Sequence, residues 1–351
     1  MPDPALGART ADDLRSAPEV MLTVLDRLDG AAAALAPRCA DGIRFLGCGS
    51  SHLGGGLAAA LLQRLAHVPA RAVVASEASF YVPGLPPAPL AVAMSRSGAT
   101  SETLEAVRTH REVGGGPVVA LVCDPTSPLA AQADEVIGVP ESNEAVVAQT
   151  RSVATFLMFS VLLAGHAAGL SPAAAVRAGL ESLVSTRPQR EAGAAEAAPA
   201  GPGRIVVLGG GLRWWVARET ALKFVEMGQA PASAERLMEY PHGPIEGLDG
   251  TTTVVAFRST EAATVEGPVL DRLDTLARDV VRLGAEGSTS TLGTSGASSA
   301  SDSPTALLLD AVRLFGELHD GHLLALHTSR ARGIDADAPA EIAPYITLAA
   351  T

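Results

Sequence analysis

The sequence predicts an α/β protein of two modules, each a doubly wound, mostly parallel sheet flanked by helices in a flavodoxin-like three-layer sandwich. Short apolar runs alternate with helical segments at the spacing of β-α-β units. Turns rich in glycine or serine follow the first strand of each half, at residues 47–51 and 209–211. The order of elements also restarts after residue 203, which indicates a weak internal repeat.

Composition limits the classes of partner. The 351 residues allow one large domain or two medium ones, and 47% hydrophobic residues suffice for a sizeable core. A net charge of −12 argues against nucleic acid and against an anionic membrane surface as partners. The three cysteines, Cys39, Cys48 and Cys123, lack metal-ligand spacing and suit a reducing compartment. No apolar signal core is apparent, so we expect a cytoplasmic protein. We also expect it to use neither a metal nor a cofactor.

The first half of the chain is predicted to hold an N-terminal helical segment, residues 1–41, and a first module, residues 42–184. Residues 10–36 have the apolar periodicity of a helix, with Thr10 as its cap. Five apolar runs are predicted to be strands, at residues 43–46, 71–75, 89–94, 118–122 and 135–138. Helices are expected to dominate from about residue 148 to residue 183.

The second half begins after a predicted linker, residues 185–203, which is rich in Ala, Pro, Gly and charge. A second module is assigned to residues 204–351. Residues 285–304, rich in Ser, Gly and Thr, predict a disordered loop. The other elements expected here are strands at 204–208 and 253–257 and a long helix at 305–332.

The most informative stretch is a helix that carries two carboxylates and the only lysine of the chain. Glu219, Lys223 and Glu226 are spaced by four and three residues, so they share one helix face. The residues between them are apolar, which predicts burial, and a buried lysine needs charged partners. Two interpretations are open: an ion-pair triad of the core, or an acid/base cluster with shifted pKa values.

A second candidate site is the turn at residues 95–100, between a predicted strand and a predicted helix. Its hydroxyls, backbone N–H groups and helix N-terminus favour phosphate binding, with a Ser/Thr-rich helix cap as the alternative. Ser50 and Ser51 occupy the equivalent turn after the first strand, so both turns are expected to face one crevice. The corresponding turn of the second half has Glu261 in place of Gly98. Since a carboxylate repels phosphate, the first module is expected to bind the anion.

An ordered set of motifs resembles the sugar isomerase (SIS) superfamily. The resemblance is to the isomerase half of glutamine–fructose-6-phosphate aminotransferase and to the related amino-sugar-phosphate deaminases and isomerases. It covers about residues 42–350. The motifs lie at residues 47–51, 95–100, 144–151, 219–226, 239–244 and 333–339.

The resemblance implies a role for individual residues. Glu226 would move a proton between C1 and C2 of a phosphorylated sugar or amino sugar through an enediol(ate). His242 would open the sugar ring, reaching the site from the neighbouring subunit of a homodimer. Lys223, with Glu219, would stabilise the phosphate or the enolate charge. The residues implied in substrate binding are Ser50, Ser51, Ser95, Arg96, Ser97, Thr100, Val147, Gln149 and Glu239.

Departures from the aminotransferase keep other functions open. These 351 residues hold no counterpart of its glutaminase domain, and Pro344 stands where it has an imine-forming lysine. Arg96 replaces a glutamine, which suits a more anionic substrate. Amination with a separate or absent glutaminase, and a non-catalytic sugar-phosphate sensor, are therefore alternatives to an isomerase or deaminase. Trp214 and Trp215, the only tryptophans, are interpreted as core residues or as a stacking wall for a sugar or nucleoside.

Overall fold

The protein is described by a computed structural model that covers residue 3 and residues 5–81, 85–284, 303–343 and 345–347. The chain divides into two compact units. The first unit comprises Ser16–Leu180, Ser303–Val312 and Ala343–Thr351, and the second comprises Met1–Arg15, Glu181–Asp302 and Arg313–Ile342. Pro344 and most of the predicted loop, residues 285–302, lie outside the described residues.

The first unit contains a five-stranded parallel sheet. All five strands predicted here are confirmed, as β1 (Ile43–Gly47), β2 (Ala70–Val74), β3 (Ala91–Ser95), β4 (Val118–Val122) and β5 (Glu135–Gly138). Their order in the sheet is β2-β1-β3-β4-β5. Strands β1, β3 and β4 are buried along their whole length, as expected for a sheet covered on both faces.

Helices cover the first sheet. They are α1 (Ala8–Leu35), of which the part from Ser16 belongs to this unit, α2 (Gly49–Ala66), α3 (Ser101–Glu112), α4 (Pro128–Gln132) and α5 (Arg151–Ala167). Helix α2 packs close to β1, since a Cβ added to Gly55 would lie 2.9 Å from Phe45 Cβ. The same helix packs on α5 through Gly54, whose added Cβ would lie 3.8 Å from Phe156 Cβ.

The second unit contains a four-stranded parallel sheet. Its strands are β6 (Ile205–Gly209), β7 (Ala232–Arg236), β8 (Thr253–Arg258) and β9 (Asp279–Gly284), in the order β7-β6-β8-β9. The helices are α6 (Ala173–Ala197), α7 (Arg213–Gly228), α8 (Ala263–Asp274) and α9 (Pro304–Ala331), with the ends of α6 and α9 in the first unit. The predicted α/β class with parallel sheets and flanking helices is thus confirmed, although β7 and β9 escaped the sequence pattern.

The predicted linker, residues 185–203, is helical as far as Ala197, because it continues α6. Alanine, arginine and glutamate favour helix, which offsets the cost of Pro188 inside it. Arg190 also gives this part of α6 a buried contact, since its Nη1 lies 2.7 Å from Asp320 Oδ2 on α9. The residues from 198 to 203 then lead into β6.

The N-terminus of α1 corrects a second expectation. The helix begins at Ala8, so Thr10 lies inside it and is not its cap. The cap is Asp337, whose carboxylate accepts hydrogen bonds from the backbone N–H groups of Arg9 and Thr10, each at 2.8 Å, and from Thr10 Oγ1 at 2.7 Å. Burial raises the pKa of Asp337, but these hydrogen bonds outweigh burial and leave it below its ordinary value.

Candidate active site

The predicted triad forms on α7 as its spacing requires. Lys223 Nζ lies 3.1 Å from Glu219 Oε1 and 2.5 Å from Glu226 Oε2. The side chains of Lys223 and Glu219 are 0% and 3% exposed, whereas that of Glu226 is 18% exposed. The cluster therefore has a buried interior and one carboxylate at its edge that solvent reaches.

His322 on α9 lies beside the triad and is a fourth ionisable group of the cluster. The sequence pattern did not reveal it. Its Nε2 lies 3.5 Å from Glu219 Oε1, and its side chain is 2% exposed. Glu219 thus has a basic group on either side, Lys223 from its own helix and His322 from a helix about a hundred residues later. A buried carboxylate with two such neighbours is held in its charged form.

The electrostatics of the cluster favour an ionised pair at its centre. Burial alone would lower the pKa of Lys223, but the charges of Glu219 and Glu226 raise it above its ordinary value. Burial likewise opposes ionisation of Glu219, yet Lys223, followed by His322, lowers its pKa below the ordinary value. At neutral pH, Lys223 is therefore a cation and Glu219 an anion, which suits them to stabilising charge rather than to accepting or donating protons.

Glu239 and His242 lie in a separate short segment of the second unit. A 3-10 turn, Tyr240–His242, follows Glu239, and His242 donates its backbone N–H to the Glu239 carbonyl at 3.0 Å. Both side chains are exposed. The His242 imidazole forms no hydrogen bond or ion pair with any described residue, the triad included.

The turns after β1 and β3 meet at one small cavity in the first unit, as expected from the sheet topology. Its volume is about 30 Å³, which is room for roughly two water molecules. Six predicted substrate-binding residues line it: Ser51, Ser95, Arg96, Ser97, Thr100 and Gln149. Its lining is rich in hydroxyl groups, which can donate hydrogen bonds to an anion. Ser50 is buried on α2 and does not line it.

The turn at residues 95–100 is held by hydrogen bonds of its own serine side chains, and Thr100, at the N-cap of α3, makes no side-chain capping bond. Ser95 Oγ accepts a hydrogen bond from Gly98 N at 3.0 Å, and Ser97 Oγ accepts one from Ala99 N at 3.2 Å. Gly98 has φ +62°, and an added Cβ would lie 2.0 Å from Ser127 Oγ, so this position requires glycine. Because two backbone N–H groups are occupied, an anion would first meet the serine and threonine hydroxyls.

Glu144 and Arg96 hold the loop that carries Val147 and Gln149. Glu144 Oε2 accepts from Thr150 N and Oγ1 at 2.6 and 2.8 Å, and Oε1 accepts from Ser152 N at 2.8 Å, which fixes the start of α5. Arg96 Nη1 donates to the carbonyls of Val146 and Val147 at 2.6 and 3.2 Å. Val147 therefore enters the site through its main chain, as a partner of Arg96.

Cys48 also lines this cavity. Burial raises the pKa of its thiol, more than the hydrogen bond from Thr103 lowers it. The thiol therefore stays protonated near neutral pH and lacks the thiolate character of a catalytic nucleophile.

The corresponding turn of the second sheet is filled by a carboxylate of the chain itself. Glu266 on α8 accepts hydrogen bonds from Ser259 N at 2.9 Å and from Ser259 Oγ at 3.0 Å, and it is 1% exposed. Glu261 was expected to exclude phosphate from this turn, whereas the carboxylate that occupies its donors is that of Glu266. The turn after β3 thus lines a cavity, whereas the donors of the turn after β8 are occupied by Glu266.

Residues 38–165 match the model of a protein family that is described as "SIS domain". The chain contains an SIS domain. The resemblance inferred from the motifs is confirmed, and the SIS domain includes the cavity with its two turns.

Curated relatives are glutamine–fructose-6-phosphate aminotransferases. The protein of Symbiobacterium thermophilum is 30% identical over 327 residues, covering 87% of this chain and 51% of the relative. The protein of Aeropyrum pernix is 32% identical over 328 residues, with the same coverage of 87% and 51%. The chain thus spans about half the length of these relatives.

Solved structures share the fold along nearly the whole chain. Glucosamine-6-phosphate deaminase from Thermotoga maritima has a TM-score of 0.77 and 21% identity, covering 97% of this chain and 100% of its own. Tagatose-6-phosphate ketose/aldose isomerase from Escherichia coli has a TM-score of 0.75 and 23% identity, covering 97% and 98%. None of the described helices is both long and apolar enough to span a membrane.

Proposed function

We propose that the protein is an enzyme that interconverts the aldose and ketose forms of a sugar phosphate, or releases ammonia from an amino-sugar phosphate, through an enediol(ate). Glu226 is the base that moves the proton between C1 and C2, and Lys223 stabilises the negative charge that develops on the enediolate oxygen. The names of similar proteins, a deaminase, an isomerase and aminotransferases, support this class of substrate.

The observation that carries the proposal is the graded exposure of the triad. Lys223 and Glu219 are enclosed and charged, whereas Glu226, 2.5 Å from the ammonium group, is 18% exposed. A base needs contact with substrate, and a group that stabilises charge acts most strongly where water is excluded. A pure core ion pair between Lys223 and Glu219 would have no need of a second carboxylate at the surface.

Phosphate binding is assigned to the cavity of the SIS domain. Ser51, Ser95, Ser97 and Thr100 line this cavity and supply hydroxyl donors. The occupied turn of the second sheet, where Glu266 takes the donors, supports the assignment of this role to the first module. We also propose that both units are SIS modules, since their sheets share the order β2-β1-β3-β4 and β7-β6-β8-β9.

Homodimerisation belongs to the proposal as well. His242 is exposed and its imidazole has no hydrogen-bond or ion-pair partner in the described chain, so it is available to complete a site of the neighbouring subunit. Its role there is to open the sugar ring by proton transfer, for which imidazole is suited. We place the protein in the cytoplasm, as its composition predicts.

Amination of a ketose phosphate is the second candidate, because the curated relatives carry that name. An imine would require an unprotonated amine, and Lys223 is held as a cation by its two carboxylates. Borohydride reduction in the presence of fructose 6-phosphate is therefore expected to leave Lys223 unlabelled. A borohydride adduct on Lys223, found by peptide mass spectrometry, would favour amination over isomerisation as the function of the protein.

The test of the main proposal is proton exchange. The protein is incubated with a panel of hexose and hexosamine 6-phosphates in deuterated water, and deuterium at C1 or C2 is followed by NMR. Glu226→Gln is expected to lower exchange by about 100-fold or more, since it removes the base. Glu181→Gln, an exposed glutamate on α6, is the matched control and should exchange at the wild-type rate. Absence of exchange with every sugar phosphate would reject enediol chemistry.

Binding is tested apart from chemistry. Ser97→Asp places a carboxylate in the cavity and is expected to abolish saturable binding of the sugar phosphate in calorimetry, with an unchanged circular dichroism spectrum. Thr126→Asp, in an exposed turn outside the cavity lining, is the control. Unchanged affinity in Ser97→Asp would place the phosphate elsewhere.

A further inference from the structure

Two tryptophans and two arginines lie together at one end of the second sheet. Trp214 and Trp215 occupy the first turn of α7, and Arg218 follows one turn later. Arg236 ends β7, and the sheet register pairs it with Gly209, the last residue of β6. Since α7 begins directly after the turn that follows β6, this register brings Arg236 to the start of α7.

Both arginines lie over indole rings. The guanidinium carbon of Arg236 lies 4.8 Å from the ring centroid of Trp214. The guanidinium carbon of Arg218 lies 5.8 Å from the Trp214 ring and 5.6 Å from the Trp215 ring. Both tryptophans are half-buried, so they are neither ordinary core residues nor free on the surface. These distances are within the range of cation–π contacts, which hold the arginines in place.

The charge of this cluster is unbalanced. Neither Arg218 nor Arg236 forms an ion pair with a carboxylate of any described residue, in a chain whose net charge is −12. Burial, followed by the charge of Arg236, lowers the pKa of Arg218, which marks the two guanidinium groups as mutually repelling neighbours. The N-terminal end of α7 adds a further partial positive charge. An anion between these groups would relieve the repulsion.

We propose that Trp214, Trp215, Arg218 and Arg236 form a binding site for an organic phosphate whose ring lies against an indole face. A guanidinium group can donate two parallel hydrogen bonds to two oxygens of one phosphate. Indole rings stack on nucleobases or on the C–H face of a pyranose. The site is separate in its residues from the serine-lined cavity of the SIS domain. A nucleoside phosphate and a sugar phosphate share this chemistry, and the experiment distinguishes them.

The composition of the chain makes the site directly observable. Trp214 and Trp215 are its only tryptophans, so intrinsic tryptophan fluorescence reports on this cluster alone. The titrations are done in the Ser97→Asp background, so that binding in the serine-lined cavity does not contribute. The probes are uridine 5′-monophosphate, glucose 6-phosphate and inorganic phosphate, at constant ionic strength, with calorimetry as the second measurement.

A saturable fluorescence change with either organic phosphate, and binding at least about tenfold weaker for inorganic phosphate, supports the site. Tighter binding of uridine 5′-monophosphate identifies the ring as a nucleobase, and tighter binding of glucose 6-phosphate identifies it as a pyranose. No saturable change with any probe overturns the proposal. Equal affinity for inorganic and organic phosphate would mean that the indole faces do not contribute to binding, and it would also overturn the proposal.

Variants assign the binding to the arginines. Arg236→Gln and Arg218→Gln are each expected to weaken binding about tenfold or more, because each removes a charged donor. Arg272→Gln is the control, since Arg272 is an exposed arginine on α8 and is expected to leave the affinity unchanged. Circular dichroism checks that each variant is folded. Wild-type affinity in both Arg218→Gln and Arg236→Gln would also reject the site.

Discussion

Replacement of Lys223 by methionine tests the central feature of the protein. Methionine keeps most of the volume of the side chain but removes the charge 3.1 Å from Glu219. The Glu219 side chain is 3% exposed and would keep His322, at 3.5 Å, as a basic neighbour. Breaking one side of a buried ion pair typically destabilises a protein by about 3–5 kcal/mol, so we expect a loss of this size in the free energy of unfolding at pH 7.

The loss of stability in Lys223→Met should depend on pH, because Glu219 and Lys223 both have shifted pKa values. In the wild type, the pKa of Glu219 is below its ordinary 4.5, so its contribution to stability is present above that pH and is lost on acidification. The pKa of Lys223 is above its ordinary 10.5, so its contribution is present below that pH and is lost in alkali. Without Lys223, burial of Glu219 would raise its pKa, and the variant would regain stability as this carboxylate takes up a proton. The difference between wild type and variant should therefore be smaller at pH 5 than at pH 8.

Urea unfolding followed by far-ultraviolet circular dichroism measures both quantities. The double variant Lys223→Met/Glu219→Gln removes both charges and is expected to be more stable than Lys223→Met at pH 8. Arg272→Met, at an exposed position of α8, is the control and should change stability by no more than about 0.5 kcal/mol. A loss below about 1 kcal/mol for Lys223→Met, or a loss independent of pH, would refute the charged pair as the state of the cluster.

Three further predictions concern the helix cap, the helix packing and the assembly. Asp337→Asn should lower the free energy of unfolding by about 1 kcal/mol at pH 7. The pKa of Asp337 in the folded protein is below 3.8, so the difference in stability between wild type and variant should disappear only as the pH falls below that value. Thermal unfolding at a series of pH values measures this difference. Gly321→Ala should destabilise by about 1–3 kcal/mol in urea unfolding, since its Cβ would lie 2.2 Å from Thr220 Oγ1, whereas the control Gly30→Ala meets nothing within 4 Å and should be neutral or stabilising. Glu226→Gln and His242→Ala, each inactive alone, should regain activity when mixed under subunit exchange; a demonstrated heterodimer without activity would show that His242 does not serve the neighbour's site.

Local patterns in the sequence were enough for the triad and for the serine turns. Glu219, Lys223 and Glu226 lie within two turns of one helix, so their spacing alone fixes their proximity. The first-half strands were also predictable, because strands buried on both faces are continuous apolar runs. Strand β7, with the sequence ASAER and no large apolar residue, gives no such signal, since it lies at the edge of its sheet and is only partly buried.

The contacts that sequence reasoning missed join residues far apart in the chain. Arg213 on α7 pairs with Glu317 on α9 at 2.8 Å, and Arg190 on α6 pairs with Asp320 on the same helix at 2.7 Å. A charged residue in an amphipathic helix looks the same in the sequence whether it faces water or a buried partner. Only the packing of α6, α7 and α9 decides that these charges are enclosed.

The sequence by itself determined the fold class, the SIS resemblance and the local grouping of reactive side chains, because each depends on neighbours within a few residues. The tertiary structure alone decided which groups surround them. It brings His322 next to Glu219 and Glu266 next to the donor groups of Ser259, in the turn after β8. It also directs Arg96 toward the carbonyls of residues 146 and 147. The physical reason is that burial and electrostatic pairing depend on distance in space, which short sequence patterns do not contain once the partners lie on different elements.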